Sequence, residues 1–71
     1  MRLYYDHRGN PTMIEFAWDE ARRIVGSDAV ATSDGLISLR EAAAKEYPDL
    51  DWIGTATGAF DLFGVYLRRV H

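Results

Sequence analysis

Hydrophobic positions recur with helical spacing between Met13 and Val25. Placed about 100° apart, Met13, Ile14, Ala17, Trp18, Ala21, Ile24 and Val25 share an arc of about 140°, the width of a stripe that faces a core. Glu15, Asp19, Arg22 and Arg23 fall on the other side. Thr12 precedes Glu15 at the capping-box spacing, Pro11 stands just outside, and Gly26 supplies a stop. The pattern predicts a helix over about 13–25. A strand over 13–17 is the alternative, but it leaves the stripe unexplained. Phe16 does not fit the helix, because it lies nearly opposite the centre of the apolar arc, among charges. It is expected to be tucked under a loop or to be a partner contact, together with Asp19 and Arg23 on the same exposed face.

Shorter signals flank this segment. Arg2 to Asp6 carries β-favouring aromatics, and His7 to Pro11 concentrates turn formers, so a strand and a loop are expected. Asp34-Gly35 lies between Ala29–Thr32 and Leu36–Ile37, a hairpin signal with short arms. Ser38 and Glu41 repeat the capping box and open a second predicted helix, about 39–47, with Leu39, Ala42, Ala43 and Tyr47 inward and Pro48 as terminator. The last third is the most aromatic. Trp52–Thr57 and Phe60–Leu67 are expected to pair as a hairpin across Gly58-Ala59. A helix over the final run, capped by Thr57 and closed by Arg68 and Arg69, is the other choice; Gly64 and the β-branched and aromatic residues favour the strand.

Alternation puts Phe60, Leu62 and Tyr66 on one side of that final strand and Phe63, Val65 and Leu67 on the other. A strand apolar on both faces is either covered twice or used at an interface. With 71 residues the chain has little apolar surface to waste, so a second protein, or a second copy, is expected to complete one face. Self-association and a different target both satisfy this.

Composition narrows the classes. The chain reads as one globular domain spanning 1–71, with 48% hydrophobic and 27% charged residues. Zero cysteine removes disulfides, thiolate zinc sites and thiol catalysis. No run is long enough for a membrane span and the first residues are too polar for a signal peptide, so a cytoplasmic protein without membrane contact is expected. Eleven acidic against eight basic residues give a net charge of −3, the wrong sign for a general nucleic-acid binder. Every charge from Glu46 to Asp61 is negative.

Little in the sequence supports catalysis. Asp6-His7 with Asn10 resembles the Asp-His pair of HNH nucleases, a resemblance that implies a general-base histidine and a metal. It covers a few residues, the other histidine is His71, and a polar turn accounts for the segment. Ser27, Ser33 and Ser38 read as turn or cap residues, and the glycines form no phosphate-cradling loop. No enzyme, cofactor or metal is therefore expected. Leu36 to Ala43 resembles the opening of an excisionase or MerR-type helix-turn-helix, which implies a recognition helix over 49–57 and a wing over 60–70. That segment carries Asp49 and Asp51 and no Arg, Lys, Asn or Gln to reach base edges, so a small DNA-binding regulator is only the second reading.

The fold class expected is α+β, a small antiparallel sheet with helices at about 13–25 and 39–47 packed on one face. The function expected is non-enzymatic protein binding, as an inhibitor, adaptor or accessory subunit. Size and composition are similar to small phage- or mobile-element-encoded inhibitors such as anti-CRISPR proteins. The docking surfaces expected are Phe16, Asp19 and Arg23 on the first helix and the acidic, aromatic stretch Asp49, Asp51, Trp52 and Asp61, suited to a basic partner.

Overall fold

The computed structural model describes residues 1–52, 54, 56–59 and 62–66, the last two ranges being strands. Four strands, β1 (Arg2–Tyr5), β2 (Pro11–Ala17), β3 (Ala56–Ala59) and β4 (Leu62–Tyr66), form an antiparallel sheet in the order β1-β2-β4-β3. Two helices, α1 (Trp18–Val25) and α2 (Ser33–Glu46), connect β2 to β3, with one 3-10 turn at Ala29–Ala31 between them. The α+β class expected from the sequence is the fold observed; the bounds of its elements differ.

The first difference is the segment 11–17, which is strand rather than the start of a helix. Ile14 faces Val65 and Phe16 faces Phe63 across the β2/β4 ladder. Both Ile14 and Phe16 are buried while Glu15 between them is not, the period of two that a half-covered strand requires. Phe16 is thus 1% exposed, and its expected place on an open helix face is corrected. The helical stripe is real only from Trp18 onward: Ala21 is buried, but Met13 turns to the outer face of the sheet and Ile24 is 38% exposed. Gly26 does end α1, at φ +80°, with its N–H donating to the Arg22 carbonyl at 2.8 Å.

The second difference is the segment 27–38, where a hairpin was expected. Thr32 caps α2 instead, its Oγ1 accepting from the Gly35 N–H at 3.2 Å and donating to the Ala29 carbonyl at 2.7 Å. Gly35 serves close approach rather than a turn, since a Cβ there would stand 2.6 Å from the Val30 carbonyl oxygen. Ser38 lies inside the helix and donates to the Asp34 carbonyl four residues back. The helix ends before Pro48, as expected, and its inner face is Gly35, Leu39 and Ala43.

The turn between β1 and β2 matches the sequence reading. Asp6 Oδ1 accepts from the amides of Arg8 and Asn10 at 2.8 and 2.9 Å, and Gly9 sits at φ +81°. A terminal hairpin also forms, but as β3 and β4 in direct register, Gly58 opposite Phe63 and Ala59 opposite Leu62, so Gly58 and Ala59 are strand and not turn. The expected arms Trp52–Thr57 and Phe60–Leu67 are therefore corrected to 56–59 and 62–66.

Both helices cover the face that carries Leu3, Ile14, Phe16, Phe63 and Val65. Ala21, Val30, Leu39, Ala43 and Trp52 complete the core, and Trp18 packs on Phe63 with ring centroids 5.5 Å apart. The outer face, by register, carries Arg2, Tyr4, Met13, Glu15 and Leu62. There the Tyr4 hydroxyl donates to Glu15 Oε1 at 3.1 Å and the Arg2 guanidinium lies 5.3 Å from the Tyr4 ring centroid.

Candidate docking site

The two parts of the surface expected from the sequence fare differently. Asp49 and Asp51 are exposed after α2, but Trp52 beside them is 4% exposed. Its indole N–H donates to the Tyr47 carbonyl at 3.3 Å and its ring lies against Tyr47, so it anchors the chain rather than a partner. That corrects the expected aromatic anchor. Asp61 and Phe60 lie outside the described residues. Of the remaining aromatics, Phe63 is sealed in the core, while Leu62 on the opposite side of β4 is 40% exposed.

Asp19 is exposed on α1 but occupied, pairing with Arg22 Nη2 at 2.9 Å; Arg22 also reaches Asp28 at 3.5 Å. Arg23, by contrast, turns toward α2. It joins Phe16 in an open groove of about 480 Å³, whose walls are Glu20, Arg23 and Ile24 from α1 and Ala42, Lys45 and Glu46 from α2. Met1 joins the lining. Phe16, Ile24 and Ala42 supply apolar lining, and Met1 adds a half-exposed side chain.

A helix starting at Trp18 centres its buried side on Ala21, and Ile24 stands about 60° around from that position. It therefore reaches the rim instead of the core. Ala42 stands beside buried Ala43 in the same way, and its short side chain leaves depth between the helices.

The charges of the groove are unequal in their commitments. Glu20 Oε1 is shut off from solvent, and the Met1 ammonium at 2.7 Å supplies its counter-charge. Arg23 and Lys45 are exposed, and among the described residues neither has an ion-pair partner. Glu46 is the other carboxylate among the described residues of the lining. Sequence reasoning found Phe16 and Arg23 but missed Met1, Glu20, Ile24, Ala42, Lys45 and Glu46. The signal was the misfit of Phe16 with a helix, which, read as strand period, moves the helix start to Trp18.

Among the described residues no group of three or more His, Asp or Glu could hold a metal ion. The Asp6 carboxylate is engaged in its turn, and His7 beside it is exposed. Among the described residues of 49–57, where the helix-turn-helix resemblance implies a recognition helix, none is helical: residues 48–50 make a turn and Ala56 begins β3. Among the described residues no helix is long and apolar enough to cross a membrane. No protein-family model matches the sequence, and no curated protein or solved structure matches the chain.

Proposed function

We propose that the chain is a non-enzymatic protein-binding protein, acting in the cytoplasm as an inhibitor, adaptor or accessory subunit, and that the groove between α1 and α2 is its docking surface. One observation supports this most: Ile24 and Ala42, with the buried Phe16 among their neighbours in the lining, give an apolar groove between the two helices, beside two exposed cations, Arg23 and Lys45, that have no ion-pair partner among the described residues. The volume is comparable to that of small-molecule sites, about 300–1,000 Å³, but its polar groups stand on the rim and do not converge on a point. Such a surface suits a polypeptide laid across it. The exposed acids Asp49 and Asp51 read as a solvated stretch, since the aromatic ring beside them is internal.

The test compares two pairs of variants in affinity capture with folding checked by circular dichroism. Ile24→Glu and Ala42→Asp are expected to lose a stoichiometric partner that the parent chain and the D49N/D51N variant retain. Retention by the groove variants, or loss confined to D49N/D51N, would overturn the assignment.

A further inference from the structure

Resting on that docking reading, we infer that the groove takes an acidic amphipathic helix of the partner, with carboxylates flanking its apolar anchors. The sign follows from what each charge is already doing. Glu20 is neutralised by the Met1 ammonium at 2.7 Å, which leaves, among the described residues of the lining, Arg23 and Lys45 against Glu46. A chain of net charge −3 thus carries in this groove a surplus of the opposite sign. A partner rich in carboxylates is repelled by most of the surface and admitted here, whereas a basic partner is drawn away from the groove toward Asp49 and Asp51.

The helical form follows from the backbone. The walls are helices, whose mid-helix N–H and C=O groups are already paired, and the described residues of the lining include no open strand edge. An extended segment entering the groove would find no ladder for its own N–H and C=O groups. A helix satisfies them internally and presents apolar side chains at three- and four-residue spacing. On each wall the lining residues span just over one turn, about 6 Å, Glu20 to Ile24 on α1 and Ala42 to Glu46 on α2, so one to two turns of ligand helix fill it. Ile24 and Ala42 then receive the anchors, and Arg23 and Lys45 flank them from opposite walls.

The experiment is selection of the intact chain against a displayed library of helix-forming peptides with randomised surface positions, followed by binding measurements on the enriched peptides. Peptides with paired aliphatic or aromatic anchors and flanking Asp or Glu are expected. Their affinity should fall about tenfold or more in R23E/K45E, less so at high salt, and be lost in Ile24→Glu. Enriched peptides that are basic or uncharged, or indifferent to R23E/K45E, would overturn the acidic partner while leaving the docking surface in place. Enrichment of proline-containing, non-helical sequences would overturn the helical form. Enriched peptides indifferent to Ile24→Glu, or no enrichment over a blank surface, would overturn the docking reading as well.

Discussion

Phe16 of β2 lies directly across from Phe63 of β4, and both rings are buried beneath the helices. The pair joins the two central strands to the helical layer, and Phe16 also lines the groove. Truncating a ring in such a position removes its burial and leaves a cavity, about 3–5 kcal/mol. That is as large as the whole stability a core of this size supplies, about 3–5 kcal/mol. Phe16→Ala is therefore expected to be unfolded at room temperature by circular dichroism. A two-state transition within about 0.5 kcal/mol of the parent, the result for an exposed surface residue, would refute the placement of Phe16.

Thr32, and not Ser38, caps the second helix. Thr32→Ala removes the acceptor for the Gly35 N–H and the tie to the Ala29 carbonyl, and should cost about 1 kcal/mol in urea denaturation. Ser38→Ala removes only a bond to a helical carbonyl and is expected to change stability by less than about 0.5 kcal/mol. A reversed ranking would show that the helix starts at Leu39 after all.

Gly35 gives a change of sign. In an open helix interior, Gly→Ala gains about 1 kcal/mol. Here the added methyl would meet the carbonyl oxygens of Ala29 and Val30, and these are backbone atoms that cannot step aside without moving the 3-10 turn. Gly35→Ala is expected to lower the denaturation midpoint, and a raised midpoint would contradict the contact between that turn and α2.

Asp6 holds the first hairpin through two amide bonds to Oδ1. Asp6→Ala leaves both donors without that acceptor and should cost about 1–2 kcal/mol. Asp6→Asn keeps a carbonyl oxygen for them and should recover more than half of the loss. Equal losses in the two variants would point to the charge rather than the turn geometry.

What was readable in the sequence follows from how local each signal is. The turn at Asp6 to Asn10, the stop at Gly26 and the end at Pro48 depend on backbone chemistry within a few residues, and each stands where expected. The 13–25 stripe misled because a four-residue step such as Ile14 to Trp18 keeps to one side in a strand as well as in a helix, and only Phe16 distinguished them. Strand wins there because Ile14 and Phe16 pair with Val65 and Phe63, partners some fifty residues away that no local pattern displays. The Asp34-Gly35 hairpin failed for a related reason: glycine permits a turn and also permits close packing, and only the position of Val30 decides between them. At the site, charge was legible but commitment was not. Asp19 and Arg23 look alike in sequence, yet Asp19 is held by Arg22 and Arg23 stands without an ion-pair partner among the described residues.

Amide chemical-shift mapping tests the docking surface most directly. On titrating the captured partner segment, or a peptide from the selection, into labelled protein, the largest perturbations are expected at Phe16, Glu20, Arg23, Ile24, Ala42, Lys45 and Glu46. Perturbations centred instead on Arg2, Tyr4, Met13 and Glu15 of the outer sheet face, or on Asp49 and Asp51, would contradict it.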